Sequence, residues 1–129
     1  MKMKVLLPIL VLLVSTFATI EGQNKIEVTS LQANQLLQKD KKIIVIDART
    51  SDEFNEGHIK GAKNIDIRQA DAFNQIDKLN KDAKYLVYCR TNHRSGIAVQ
   101  HMMQNGFKVV YQIMDGFPGW AANNLPFVK

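Results

Sequence analysis

Strand-like and helix-like patterns alternate along this chain, and this alternation restricts the fold more than any other feature of the sequence. Short apolar runs typical of buried strands lie at residues 43–46, 85–88 and 108–111, with weaker candidates at 26–29 and 64–67. Helical patterns lie between these runs. Strands separated by helices favour βαβ units. We therefore predict an α/β domain with a central, mostly parallel sheet of about five strands, covered by helices on both faces.

Several residues predict where the helices begin and end. Thr50 and Glu53 have the spacing of a capping box. Ser30 is a candidate N-cap for the first helix, and Ser95 for a later one. Asn105-Gly106 has the composition of a helix C-terminus.

The first residues have the features of a secretory signal peptide. Lys2 and Lys4 precede an apolar run at residues 5–14, and small residues follow it. The run is shorter than the roughly 20 apolar residues that span a bilayer. We predict a signal peptide at 1–18, cleaved after Ala18, and one domain at 19–129, because a chain of 129 residues has room for one core. The expected location is the periplasm, without stable membrane insertion after cleavage. Secretion and an uncleaved N-terminal anchor are the alternatives.

Charge and cysteine content exclude several classes of function. The chain has 17 basic and 12 acidic residues, and loss of the two leader lysines leaves an excess of three positive charges. This excess is too small, and its residues too dispersed, for a nucleic-acid partner. The single Cys excludes an intramolecular disulfide framework and a zinc site built from several cysteines.

The stretch Y-L-V-Y-C-R-T-N-H-R-S at residues 85–95 carries the strongest functional signal. Cys89 follows a predicted buried strand. A loop extends from Cys89 to Arg94, and a helix is predicted to begin at Ser95. Backbone N–H groups in such a loop form an anion-binding nest. The helix N-terminus and the charges of Arg90 and Arg94 favour a thiolate, the nucleophilic form of the residue. For His93 the sequence favours a solvated loop position over a contact with the thiol or the substrate. A buried structural role is the alternative for Cys89.

Three motifs resemble those of the rhodanese (sulfurtransferase) family. C-R-T-N-H-R-S at residues 89–95 resembles the family's active-site loop, C-R-x-G-x-R-S/T. D-A-R-T-S-D-E-F-N-E-G-H-I-K-G-A-K-N-I at residues 47–65 resembles the upstream signature D-x-R-x-x-x-E-x-x-x-G-H-I-x-G-A-x-x-I. Residues 115–126, which we call the closing segment, resemble the family's last motif through Gly116, Trp120 and Pro126. The resemblance covers essentially the whole chain after the leader.

This resemblance implies a three-layer α/β/α domain that transfers sulfur through a persulfide. The implied catalytic residue is Cys89. A small sulfur donor such as thiosulfate would load it, and a thiol, cyanide or protein acceptor would remove the sulfur. Asp47 and Arg49 are candidate supporting residues, since Asp47, like Cys89, ends a predicted strand. No metal or organic cofactor is implied. The residues implied to bind the donor's anionic end form the loop: Arg90, Thr91, Asn92, His93, Arg94 and Ser95.

Two positions depart from the family pattern. Asn92 stands where the family usually has Gly. Because Asn tolerates left-handed backbone better than other non-Gly residues, we expect the loop to keep its shape. Asp115 replaces the first closing Gly, and we assign it no catalytic role. Upstream, Arg49 and Glu53 have the spacing of a helical ion pair, which is a structural alternative for both.

Three other functions remain open. A cysteine-dependent phosphatase or arsenate reductase uses a similar loop, but those families are known for a longer spacing than the four residues between Cys89 and Arg94. A persulfide-carrying module would deliver its sulfur through a protein partner. An inactive interaction domain is the third, and the intact Cys89, Arg90 and Arg94 argue against it.

Overall fold

The computed structural model describes residues 2–4 and 24–129, so most of the predicted signal peptide at 1–18 lies outside the described residues. Five strands and five helices follow one another in strict alternation from residue 24 onward. They are β1 (Asn24–Val28), α1 (Ser30–Lys39), β2 (Ile44–Asp47), α2 (Ser51–Glu56), β3 (Lys63–Asn64), α3 (Ala72–Asp77), β4 (Lys84–Tyr88), α4 (His93–Gln104), β5 (Val109–Ile113) and α5 (Gly116–Ala122).

The five strands form one sheet in the order β1-β5-β4-β2-β3. All four pairings between these strands are parallel, which confirms the predicted sheet. Strand β4 lies in the middle, between β5 and β2. In a parallel sheet the carboxyl ends of the strands share one edge, and ligands bind beyond that edge. Residues that follow β2, β4 and β5 therefore lie together.

Helices cover both faces of the sheet, as the predicted three-layer α/β/α fold requires. On one face, Ile76 of α3 and Met102 of α4 are fully buried in a core that includes Val87. On the other face, Ala33 of α1 and Trp120 of α5 are buried in a second core that includes Leu86. Because consecutive residues of β4 contribute to opposite cores, this strand is buried on both faces.

The helix starts agree with the sequence at one site and differ from it at two. Thr50 and Glu53 form the predicted capping box. For α1, however, Thr29 is the N-cap and Ser30 is the first helical residue. The Thr29 hydroxyl accepts from the N–H of Gln32, while Ser30 is buried. Helix α4 begins at His93, two residues before the predicted Ser95.

Strand β3 is shorter than the predicted 64–67, since it spans Lys63–Asn64. The chain nevertheless continues along the sheet edge. The N–H of Ile65 donates to the Asp47 carbonyl at 2.9 Å, and that of Ile67 donates to the Ala48 carbonyl at 3.3 Å. The apolar run therefore marks an edge segment whose regular pairing stops early.

Candidate active site

Cys89 directly follows β4, at the carboxyl end of the central strand. Its side chain is fully buried, and its carbonyl accepts a hydrogen bond of 2.8 Å from the N–H of Phe117. Cys89 is the one cysteine of the chain. The strand thus fixes the thiol at the edge of the sheet where parallel α/β folds bind their ligands.

The loop after Cys89 is shorter than predicted, because His93 and Arg94 already belong to the first turn of α4. The side chains of Arg90, Thr91, Asn92 and His93 are exposed. Within the described part of the chain, the N–H groups of residues 90–92 donate no hydrogen bond to another residue. These N–H groups and the N-terminus of the 12-residue α4 are therefore available to an anion beside Cys89.

Asn92 does not adopt the left-handed backbone that we expected of it. Its φ is −139°, which residues of any type adopt. The conformation that requires glycine lies instead in Gly116, whose φ is +62°. A Cβ at Gly116 would meet the carbonyl oxygens of Arg90 and Thr91. The absence of a side chain at Gly116 therefore lets the closing segment pack directly against the cysteine loop.

Ser95 is inside α4 and does not cap it, because the earlier helix start moves it to the third helical position. Its side chain is fully buried, and its Oγ lies 3.4 Å from Sγ of Cys89. Gln112 of β5, which is 2 % exposed, donates from Nε2 to Ser95 Oγ at 3.0 Å and to the Asn92 carbonyl at 2.9 Å. Sequence reasoning missed Gln112. The one sequence feature that could have indicated it is a single amide within the otherwise apolar strand V-V-Y-Q-I.

Arg94 forms a bidentate ion pair with Glu53 of α2. Its Nη1 and Nη2 lie 2.6 and 2.9 Å from the two carboxylate oxygens. The alternative that Glu53 pairs with Arg49 is therefore wrong, and Arg94 is not a free cation. The hydrogen bond from Arg94 lowers the pKa of Glu53 from its ordinary 4.5 to about 2, against the effect of burial. The same bond, opposed by burial and supported by the charges of Glu53 and Cys89, raises the pKa of Arg94.

The ion pair between Arg94 and Glu53 is expected to make the stability of the fold decrease in acid. Because the pKa of Glu53 is lower in the folded chain, its stabilising contribution is complete above its ordinary 4.5 and is lost as the pH falls towards about 2. Urea unfolding of the wild type and of Glu53→Gln across this range is expected to show a smaller acid loss of stability in the variant. Glu27→Gln is the control, because the side chain of Glu27 is 57 % exposed. A Glu53→Gln profile parallel to that of the wild type would contradict the expectation.

Asp47 and Arg49 form a second, deeper ion pair at the end of β2. The Nη2 of Arg49 lies 2.7 Å from Oδ2 of Asp47, with side-chain exposures of 6 % and 0 %. The same nitrogen donates to the Gly57 carbonyl at 2.6 Å, and the guanidinium lies 4.3 Å from the ring centroid of Phe117. Burial lowers the pKa of Arg49, but the hydrogen bond and charge of Asp47 outweigh it and raise the pKa overall. Asp47 thus holds Arg49 in place, and Arg49 in turn contacts Gly57 at the end of α2 and Phe117 of the closing segment.

The closing segment has two further contacts that hold it in place. Asp115 accepts from the N–H and the hydroxyl of Ser30 at 2.9 and 2.7 Å, which ties α5 to α1. Trp120 is 1 % exposed and donates from Nε1 to the Pro126 carbonyl. Trp120 therefore packs in the core, and Asp115 has a structural partner.

An open cleft of about 410 Å³ lies beside the loop. Arg90 and Lys129 contribute positive charge to its lining, and Glu56 contributes negative charge. Phe117 and Phe127 contribute apolar surface. A larger cavity of about 540 Å³ lies elsewhere, against Leu37, Ile43 and Trp120, and is lined by none of the predicted site residues. The smaller cleft is therefore the one that a ligand of the cysteine loop would enter.

Residues 2–4 and 24–129 contain neither a metal-binding cluster nor a membrane-spanning helix. In these ranges no three His, Cys, Asp or Glu side chains are grouped so that they would hold a metal ion. No helix within them has the length and apolar character needed to cross a bilayer.

Comparisons with known proteins agree with this geometry. Residues 29–123 match the family model described as "Rhodanese-like domain". The thiosulfate sulfurtransferase GlpE of Coxiella burnetii is 31 % identical over 98 residues, which cover 76 % of this chain and 89 % of that protein.

Solved structures agree as well. A rhodanese-related protein from Thermoplasma volcanium superposes with a TM-score of 0.68 and 27 % identity, covering 80 % of this chain and 97 % of that one. A polysulfide-sulfur transferase homodimer from Wolinella succinogenes superposes with a TM-score of 0.69 and 26 % identity, covering 81 % of this chain and 78 % of that one.

Proposed function

This chain belongs to the rhodanese-like domain family, and we propose that it is a sulfurtransferase that moves a sulfane sulfur from a donor such as thiosulfate to a nucleophilic acceptor through a persulfide on Cys89. One observation carries the proposal. Cys89 ends the central strand and is followed by three N–H groups that have no partner among the described residues, at the N-terminus of α4. These donors are preorganised for a small anionic sulfur group.

The proposed reaction has two displacement steps. In the first, the Cys89 thiolate attacks the outer sulfur of thiosulfate, an S–S bond forms to Sγ, and the S–S bond of thiosulfate breaks with its electron pair leaving on sulfite. In the second, a thiolate or cyanide attacks the terminal sulfur of the persulfide, and the electron pair of the broken bond returns to Sγ. The charges balance in both steps, and neither requires an oxidant or a cofactor.

Arg90 of the loop and Arg94 of α4 have different roles in this proposal. Arg94 is neutralised by Glu53, so we assign it to holding α2 against the start of α4. Arg90 is exposed, lines the cleft and has no carboxylate partner among the described residues. We therefore assign the sulfonate end of the donor to Arg90, whose planar guanidinium suits an oxyanion. Because Sγ is buried, the site has to open locally before the donor can reach it.

The pairing of Arg94 argues against the phosphatase and arsenate reductase alternative. In that chemistry the arginine after the loop would bind the substrate oxyanion, yet here its guanidinium is occupied by both oxygens of Glu53. A sulfur-delivery module with a protein acceptor uses the same Cys89 persulfide and remains the second candidate. Loading by thiosulfate together with slow release to small acceptors would favour it.

Intact mass of the purified chain, before and after incubation with thiosulfate, tests the proposal. We expect a gain of one sulfur atom that a reductant removes. A folded protein with reduced Cys89 and no such gain would overturn the persulfide mechanism.

We also propose that the chain is exported. The mass spectrum of protein from a periplasmic fraction tests this proposal, since cleavage after Ala18 removes the mass of residues 1–18.

Substitution of Arg90 tests how the donor binds. In Arg90→Gln we expect the KM for thiosulfate to rise by about tenfold with kcat nearly unchanged, because the lost charge serves binding and not the displacement itself. Lys39→Gln is the control. Lys39 is exposed in the last turn of α1, at the opposite end of the sheet. Equal KM values in both variants would remove Arg90 from the donor site.

A further inference from the structure

We propose that Gln112 is a positioning residue for sulfur transfer, in that it orients the Ser95 hydroxyl so that this group donates a hydrogen bond to Sγ of Cys89. The inference rests on the proposed persulfide chemistry. It adds a residue of β5 that contacts neither substrate nor sulfur but acts on the reacting atom through Ser95.

The buried amide of Gln112 makes two hydrogen bonds at the start of α4. Its Nε2 lies 3.0 Å from Ser95 Oγ and 2.9 Å from the Asn92 carbonyl. An amide nitrogen has two N–H groups, so each contact takes one of them. Gln112 is 2 % exposed and Ser95 is fully buried, so water does not compete freely for these bonds. Gln112 therefore fixes Ser95 and the last loop residue together.

The contacts of Ser95 set the direction of its own proton. A hydroxyl has one donor and two acceptor positions. The N–H of Gln112 occupies one acceptor position of Oγ, and the Cys89 thiol, while it is protonated, donates to the same oxygen at 3.4 Å. Once Cys89 is a thiolate, the sulfur has no proton to donate. The hydrogen bond between them then requires Ser95 to donate and the sulfur to accept.

This hydrogen bond acts unequally on the two states of the cysteine. In the thiolate, the negative charge is on Sγ, where Ser95 donates. In the persulfide, the charge is on the terminal sulfur, and Sγ is a weaker acceptor. Ser95 thus stabilises Sγ as the leaving group of the second step, and thiol–disulfide chemistry is faster when the leaving sulfur is better stabilised as a thiolate.

Gln112→Met tests the proposal, because Met is similar in length but cannot donate. The chain has one cysteine, so the ultraviolet absorbance of the thiolate, measured against Cys89→Ser, reports Cys89 alone. We expect the midpoint of this absorbance to move by about one pH unit to higher pH, as the loss of one hydrogen bond to a charged group implies. We also expect release of a preloaded sulfur to cyanide to slow by about tenfold, and loading to slow less.

Two further variants separate positioning from general destabilisation. Val110→Ala shortens a fully buried side chain of the same strand and leaves the hydrogen bonds of Gln112 in place. We expect it to lower stability in urea without moving the thiolate midpoint. In a Ser95→Ala background, Gln112→Met is expected to have a smaller effect on both readouts than in the wild type, because only the hydrogen bond to the Asn92 carbonyl is then left to lose.

The outcomes distinguish this inference from the proposed function. A Gln112→Met variant that titrates and releases sulfur like the wild type would overturn the positioning role. So would an equal shift in Val110→Ala, or an effect of Gln112→Met that persists in full without the Ser95 hydroxyl. A wild-type chain that never gains sulfur would instead overturn the proposed function, and the thiolate titration would still test the hydrogen bond.

Discussion

Replacing Cys89 by Ser is expected to reduce sulfur loading and thiocyanate formation from thiosulfate and cyanide to the uncatalysed background. The reason is chemical. A hydroxyl is not ionised near neutral pH and forms no persulfide, whereas the thiolate is the nucleophile of the first step. The variant removes the one thiol of the chain, so no other cysteine can substitute.

The fold is expected to survive this substitution. The two side chains are nearly isosteric, and Ser95 Oγ lies 3.4 Å from the position of the sulfur, close enough to provide a partner for a buried hydroxyl. We expect a change of about 1 kcal/mol or less in the free energy of unfolding, measured in urea. Retained turnover by the folded variant would contradict the mechanism, whereas an unfolded variant would require Cys89→Ala as the replacement test.

Gly116→Ala is expected to have the largest effect on stability. Gly116 has a φ of +62°, and the added Cβ would lie 2.8 Å from the carbonyl oxygen of Thr91 and closer still to that of Arg90. Left-handed backbone costs a non-Gly residue about 1–2 kcal/mol, and overpacking adds about 1–3 kcal/mol. We therefore expect a loss of about 2–5 kcal/mol in urea, together with slower loading of Cys89, because the clash displaces the loop.

Gly61→Ala is a matched control for the steric part of this effect. Gly61 has a φ of +81°, but no heavy atom lies within 4 Å of the Cβ that Ala would add. It is expected to lose only the backbone component, about 1–2 kcal/mol, and to load sulfur at the wild-type rate. Equal losses in the two variants would mean that the contact between Gly116 and the loop is not tightly packed.

The fold was predictable because its signals are local. The β-branched runs and the helical spacing each occupy a few consecutive residues, and together they define alternating strands and helices. The Thr50 and Glu53 capping box is likewise a pattern within four residues, and the structure contains it. The order β1-β5-β4-β2-β3 was not predicted, because it depends on pairings between segments that are distant in the chain.

The sequence predicted the cysteine loop at the centre of the site but not the residues that hold this loop in place. Cys89 and its loop occupy one continuous stretch, so their grouping follows from the sequence alone. Glu53 pairs with Arg94, which is 41 residues away in the chain. Arg49 is closer to Glu53 and has the spacing expected of a helical ion pair, yet it does not form one with Glu53. Gln112 could not be predicted for a related reason. A single amide in a strand forms no local sequence pattern, and its contact with Ser95 arises only because β5 pairs with β4.

The position of β5 between β1 and β4 has a consequence for the order of folding. Strand β5 is the last strand along the chain, yet it separates the first strand from the central one. Until β5 inserts, β1 has no neighbour in the sheet, and one edge of β4 remains open beside Cys89. Pairings of such long sequence separation form slowly, because loop closure precedes them. A nascent chain therefore carries an uncovered thiol from the synthesis of Cys89 until β5 (Val109–Ile113) has been synthesised and inserted.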